Sequence, residues 1–441
     1  MKKVLIITYY WPPAGGSGVQ RWLKFTKYLP QYGWEPVIYT PENPELNSVD
    51  TELEKEVPQS VQIIRKKIVE PYALYKALTG KKGNNKIQAN IIADNSGSSM
   101  QKLSVFIRGN LFIPDPRCWW IRPSVRFLKN YLKQHPVDAI ISTGPPHSMH
   151  LIAQKVSKAT GIKWIADFRD PWTQIFYFKH LNLSSLAQNK HRRLELSVLK
   201  EADSVVVVSP QMKRDFETLS GREIELVTNG YDSADFEATA TEVQMPLAPG
   251  KFCLVHTGLM PQNGNPDLLW EVLGEMAESD ARFREELQIV MMGQTDTMVI
   301  DEIRKSSLAN NFIDFGYVSH TKAIAWQKRA DVLLLTLRKE PEAAAIITGK
   351  FFEYLASGNP LLAIGPKEGD LGKMLTEAKA GIICDFTNKE EMRKAVDSLY
   401  STFKERVGEK SNSLSDSVRR YSRKSLTGDI CRILNNLTNN I

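Results

Sequence analysis

The chain has 441 residues, too many for one ordinary domain and suited to two of about 200 each. Lysine and arginine (57) exceed aspartate and glutamate (50), which favours anionic partners such as nucleotide diphosphates or phospholipid surfaces. No basic-aromatic motif points to nucleic acid, so that partner is set aside. The four cysteines, Cys118, Cys253, Cys384 and Cys431, have no metal-ligand spacing and read as reduced residues of a cytoplasmic protein.

The opening run to Thr8 reads as a first strand rather than a signal peptide. No apolar run reaches membrane-spanning length, so any membrane contact is peripheral. Val4–Thr8 is continuously apolar, as in a parallel sheet buried on both faces. A loop with Gly15, Gly16 and Gly18 follows, then a helix through Trp22 and Leu23, then a strand at Val37–Thr40. This is one βαβ unit. Its glycines fit neither the dinucleotide fingerprint nor a Walker loop, and they read either as a tight turn or as a close backbone approach to a ligand. Lys81 to Gln101 is polar and reads as a mobile insertion at about 80–103.

Arg117-Cys118-Trp119-Trp120 then leads into a helix bearing Val125, Leu128 and Leu132, with Arg126, Lys129 and Lys133 on other faces. The two tryptophans stack on a sugar, rest at a headgroup layer or fill core under a loop. After the strand Asp138–Ser142, His147 and His150 have no third metal ligand nearby, which favours a cap or a ligand contact. The strand Lys163–Ala166 ends in Asp167-Phe168-Arg169-Asp170. Such a strand end is where open α/β sheets bind ligands, although the charges can equally satisfy one another. A helix from about Leu186 to Lys200 and strands at Ser204–Val208 and Ile224–Val227 complete the first half.

The rhythm restarts with the strand Phe252–Thr257, turning at Gly258. Strands follow at Ile289–Met292, Asn311–Phe315, Val332–Thr336, Leu361–Ile364 and Gly381–Cys384. Between two of them lies the stretch Thr348 to Pro360. Thr348 can cap a short helix that Gly358 and Pro360 end. Phe351, Tyr354 and Leu355 make its buried stripe, while Lys350 and Glu353, three apart, share another face. A helix start with Thr348, Gly349 and a lysine suits an anion, and a carboxylate one turn on can hold a diol such as ribose. The plain alternative is a surface Lys–Glu pair.

This stretch resembles the donor-site helix of the GT-B glycosyltransferases, in particular the large retaining family whose helix reads Lys, two residues, Glu, a small residue, Gly, any residue and Pro. The resemblance covers nearly the whole chain. It implies that Lys350 reaches the donor diphosphate, Glu353 the ribose hydroxyls, and the backbone at Tyr317 and Val318 the nucleobase. It implies that Gly15 and Gly16 lie against donor phosphate and acceptor, with Gly258 also at the donor. It places the acceptor-side polar residue, commonly a histidine, at Arg169. Asp167, Asp170 and His147 are the other candidate catalytic positions, and Arg117, Trp119 and Trp120 the acceptor candidates. Two cations usual after Gly258 are replaced by Leu259 and by Asn263 or Gly264, so Lys350 carries more charge, with Lys322 or Lys367. A second glutamate of the family stands here as Ala345, with Glu342 the nearest carboxylate upstream.

The expected architecture is therefore α/β, with two doubly wound Rossmann-like domains facing across a cleft. The first spans 1–235, the nucleotide-sugar domain 250–410, and the helices of 411–441 cross back to the first. The resemblance implies a glycosyltransferase of the hexosyltransferase type, in bacterial polysaccharide or glycolipid synthesis. It takes a nucleotide-diphosphate sugar and a glycan or lipid-linked acceptor, with no cofactor and no metal. It is expected in the cytoplasm, at the inner face of the membrane. An epimerase on the same scaffold and a non-catalytic nucleotide-sugar-binding protein are the alternatives.

Overall fold

The computed structural model describes residues 1–46, 48–70, 106, 109–238, 250–405 and 414–439. The insertion expected at about 80–103 and most of the linker after Glu237 lie outside the described residues. The chain divides into two compact units, Met1–Thr228 with Leu426–Ile441, and Asn229–Ser425.

The first unit is a seven-stranded parallel sheet: β1 (Lys2–Ile7), β2 (Trp34–Pro41), β3 (Gln62–Lys66), β4 (Ala139–Gly144), β5 (Lys163–Phe168), β6 (Ser204–Val207) and β7 (Glu225–Leu226). Their order is β3-β2-β1-β4-β5-β6-β7. The apolar run of β1 explains its central place. Leu5 and Ile7 enter one core layer, Val4 and Ile6 the layer on the opposite face. Successive strand residues point to opposite faces, so a strand covered on both sides must be apolar throughout. One layer is closed by the last helix of the chain, Arg423–Thr438, which contributes Leu426, Ile430, Cys431, Ile433 and Leu434 beside Trp22 and Trp34. Asn435 accepts the Trp34 indole N–H at 3.0 Å, and Thr438 accepts from the Lys2 ammonium at 2.9 Å.

The second unit has six parallel strands: β8 (Phe252–Thr257), β9 (Leu287–Met292), β10 (Phe312–Asp314), β11 (Val332–Thr336), β12 (Leu361–Ile364) and β13 (Gly381–Cys384), ordered β10-β9-β8-β11-β12-β13. Phe252 and Leu254 serve one core layer, Cys253 and Val255 the other. In both units the strand order reverses beside the first strand, at β1/β4 and at β8/β11. Open parallel sheets bind ligands beyond the strand ends at such a switch point. Gly258 follows β8 at one of these, and the glycine loop follows β1 at the other.

Candidate functional site

The site in the second unit is built on the helix Gly349–Ser357. Phe351, Phe352, Tyr354 and Leu355 are buried, which fixes the helix and turns Lys350 and Glu353 away from the core. Thr348 stands at the N-cap in extended conformation, but its hydroxyl makes no cap and has no partner among the described residues. Helix N-terminal N–H groups and the dipole favour an anion at this end.

The Lys350 ammonium lies 3.3 Å from His256 Nε2 and 3.3 Å from the Leu259 carbonyl oxygen. Gly258 makes this approach possible. Its φ is +97°, a left-handed conformation, and a Cβ there would stand 3.2 Å from Lys350 Nζ. Behind it, a Cβ on Gly293 would meet the Gly258 carbonyl oxygen at 2.4 Å, so both positions need glycine. Burial lowers the Lys350 ammonium to about 8, with the Glu353 charge opposing.

Glu353 is one quarter exposed, at 26%. One carboxylate oxygen accepts from His320 Nε2 at 3.1 Å, the other from the Gln327 amide at 3.3 Å. Burial raises its pKa, but the His320 hydrogen bond and charge, the Gln327 amide and Arg423 more than offset this and hold it below the ordinary range. A carboxylate has about four lone-pair directions. Two are used here, and two remain for a vicinal diol. Gln327 also donates to Thr257 Oγ1 at 3.0 Å, and Tyr354 accepts the Thr257 backbone N–H at 2.8 Å, which ties the helix to the end of β8. Tyr317 is 81% exposed, and neither it nor Val318 spends a backbone group on another described residue.

The two helper cations expected beside Lys350 have other contacts. Lys367 pairs with Glu391, and Lys322 lies 5.2 Å over the Phe315 ring. Leu259 supplies its carbonyl instead of a charge. His256, Gln327 and His320 were missed by the sequence reading. A histidine inside the apolar run of β8 is the signal that could have found the first. The i, i+7 spacing of His320 and Gln327 on one helix face is the signal for the others.

In the first unit the expected residues separate. Asp167 is fully buried and accepts from Arg21 at 2.8 Å, from the Trp22 indole at 2.7 Å and from the Thr143 hydroxyl at 2.8 Å. Arg21 in turn donates to the carbonyls of Thr228 and Val227 at 2.7 and 2.9 Å. Asp167 is thus a scaffold group with no oxygen left for a substrate, which corrects its candidate catalytic role. Arg169 is half-buried, donating to the Gly18 carbonyl at 2.8 Å and to Pro145, and its Nε has no partner among the described residues. Asp170 is exposed.

His147 does not cap the helix Ser148–Thr160; Asp115 does, accepting the Ser148 N–H at 2.8 Å. The His147 ring stacks on Trp172 at 4.6 Å, and its Nδ1 is unpartnered among the described residues. Burial, with His150, His191 and Arg169 nearby, holds it well below the usual histidine range, so it is neutral. Gly15 donates its N–H to the Ser48 carbonyl at 2.9 Å, and Gly16 has φ +91° just before the helix Ser17–Tyr28.

The acceptor candidates also divide. Trp119 is 45% exposed, whereas Trp120 is 2% exposed and stacks on Tyr39 at 4.9 Å, so Trp120 is core and cannot meet a sugar. Arg117 is turned inward to Tyr9 Oη at 3.1 Å and Glu70 at 3.6 Å, which removes its charge from any surface role.

Comparison with known proteins bears on the fold and the family. The family model described as Glycosyltransferase Family 4 matches residues 16–235, and the model described as glycosyl transferases group 1 matches residues 242–415. No curated protein matches. Among solved structures, a glycosyltransferase from Rickettsia africae is similar over 100% of this chain and 99% of its own, with TM-score 0.64 and 14% identity. Sucrose-phosphate synthase from Thermosynechococcus elongatus matches over 100% of both chains, with TM-score 0.63 and 13% identity. A putative UDP-N-acetylglucosamine 2-epimerase from Listeria monocytogenes shares the fold at TM-score 0.57 and 12% identity, over 100% of this chain and 97% of its own. At such identities the likeness shows the fold alone, and the two family models decide between transferase and epimerase. With both units matched to glycosyltransferase models and both sheets doubly wound, the chain belongs to the GT-B glycosyltransferases of the family-four type.

Proposed function

We propose that the protein moves a sugar from a nucleoside-diphosphate sugar to a glycan or lipid-linked acceptor, with retention at the anomeric carbon and without a metal ion, in the synthesis of a surface polysaccharide or glycolipid. The observation that carries the donor half is the pairing on one short helix of a partly desolvated Lys350 and a Glu353 with two unused lone-pair directions. The diphosphate seats on the helix N-terminus and Lys350, the ribose diol on Glu353, and the base on the backbone of Tyr317 and Val318. As the bond from the anomeric carbon to the diphosphate oxygen breaks, that oxygen takes the electron pair. Lys350 and the helix N–H groups meet the growing negative charge, the work a metal ion does elsewhere. The acceptor oxygen bonds to the anomeric carbon from the face the leaving group vacates, and its proton passes to the departing phosphate.

The acceptor half rests on the first unit. Arg169, Asp170 and His147, beside the glycine loop at the β1/β4 switch point, are the groups proposed to meet the acceptor. Among the described residues no helix is long and apolar enough to cross a membrane. The helix Ile121–Gln134 carries Arg122, Arg126, Lys129 and Lys133 exposed and no acidic residue, and Trp119 and Leu111 are exposed before it. This face is proposed to rest on anionic lipid at the cytoplasmic side, bringing the site to a lipid-linked acceptor.

The test is a thermal-shift series with nucleoside diphosphates and their sugars on the parent and on Glu353→Ala, followed by assay of free diphosphate release. One base should raise the melting temperature of the parent and do so much less for the variant. Release of no diphosphate from any nucleotide sugar, with or without a lysate supplying acceptors, would refute the proposal.

A further inference from the structure

His256 is wholly buried on β8, with Nδ1 2.9 Å from the Leu334 carbonyl oxygen and Nε2 3.3 Å from Lys350 Nζ. The Leu334 carbonyl can only accept, so Nδ1 carries the proton. Burial first, and then the Lys350 charge, lower His256 to about 3, so the ring is neutral at working pH. A neutral ring protonated at Nδ1 presents a lone pair at Nε2, and that lone pair faces an ammonium that can only donate. The tautomer is therefore set from below by a strand carbonyl and read from above by the lysine, the arrangement in which one imidazole nitrogen fixes the role of the other.

We propose that His256 is a positioning residue for Lys350: its Nε2 lone pair, with the Leu259 carbonyl, holds the ammonium over Gly258 so that it faces the donor diphosphate. This rests on the donor reading above and adds to it. It supplies a reason why one lysine can serve where the loop 258–266 itself carries no lysine or arginine. A lysine has a long flexible stem and no directional fork, so its charge is effective only if something fixes it. Two acceptors at 3.3 Å, neither of them charged, fix the ammonium without neutralising it. An acidic anchor would have spent the charge on itself.

The test compares His256→Leu, which removes the acceptor, with His256→Gln, whose amide oxygen can replace Nε2. Affinities of UDP, GDP and ADP are measured beside those of uridine, guanosine and adenosine, because the nucleosides engage Glu353 and not Lys350. The diphosphate-to-nucleoside affinity ratio should fall about tenfold in His256→Leu, the loss of one charge-assisted hydrogen bond. His256→Gln should recover most of it. A histidine with only a packing role would lower the melting temperature of both variants and leave the ratio unmoved, which overturns the proposal; so does a ratio that falls equally in both.

Should His256→Leu not fold, the imidazole 15N resonances of His256 in the parent protein decide. A pyridine-type Nε2 that shifts on addition of the preferred nucleoside diphosphate is expected, and a protonated or unmoved Nε2 overturns it. If the parent prefers no diphosphate over its nucleoside, the donor reading itself fails. That outcome is distinct from an intact preference that His256 does not influence.

Discussion

Lys350 carries a pH dependence whose sign follows from its surroundings. Burial lowers its pKa to about 8, so the ammonium is present below that value and lost as pH rises through it. The affinity for a nucleoside diphosphate, and kcat/KM for the sugar donor, should therefore fall above about pH 8, since kcat/KM reports the free enzyme. Lys350→Arg keeps its charge across this range and should flatten the basic limb. A limb unchanged in that variant would assign it to another group. Asp167 calls for the opposite kind of test. Removing it leaves Arg21 charged, buried and facing nothing, at a cost of about 3–5 kcal/mol. Asp167→Ala should show that loss in urea unfolding while the protein that remains folded still transfers sugar. The sequence presented Asp167, Arg169 and Asp170 as one charged strand end, and it could not separate them. The partner that takes Asp167 out of reach, Arg21, lies 146 residues earlier in the chain. By contrast the shared face of Lys350 and Glu353 was legible because both sit on a single helix whose buried stripe fixes which way they point.

At the scale of elements, the strands were read almost to the residue where apolar runs are bounded by glycine or proline, as in β8 and β12. The ends moved where a polar residue continues a ladder, as Thr143 and Gly144 do in β4 beside Asp167 and Phe168 of β5. The pair Trp119-Trp120 shows a limit of reading local pattern. Adjacent residues in a turn face different ways, and only packing against Tyr39 decides which ring goes inside. The helix Ile121–Gln134 is where the charge pattern has its consequence. Its buried Ile121, Leu128 and Leu132 leave Arg122, Arg126, Lys129 and Lys133 outward. A cation near an anionic lipid surface contributes about 1 kcal/mol, so changing all four to glutamine should weaken binding to phosphatidylglycerol vesicles by roughly two to three orders of magnitude. Neutral phosphatidylcholine vesicles should bind parent and variant alike, as measured by sedimentation. Equal retention of the variant on anionic vesicles would remove this face from the proposal.

At the scale of the whole molecule, the order of segments matters more than either sheet alone. The second unit is an insertion: residues 229–425 lie between the bulk of the first unit and the helix that closes one of its core layers. Stopping the chain after Ser425 should therefore leave the first unit without Ile430 and Leu434, each worth about 1.5–3 kcal/mol of burial. Its cooperative unfolding transition should be lost, while the second unit, which holds Lys350, His256 and Glu353, keeps its affinity for nucleoside diphosphates in calorimetry. The expected boundaries, 235 and 411, differ from the observed 228 and 426 because the chain after Thr228 pairs with the segment before the last helix. Tyr231 donates its N–H to Tyr421 and accepts that of Arg423, at 3.1 and 2.7 Å. That closing helix also sets a schedule for translation. The ribosome delivers every strand of the inserted unit before it delivers Leu426, so the later half can mature while the earlier half waits with Trp22 and Trp34 uncovered. The nascent chain should thus need a chaperone most while its second half is being made, and a stall just after Ser425 would leave the second unit complete and the first without its closing helix.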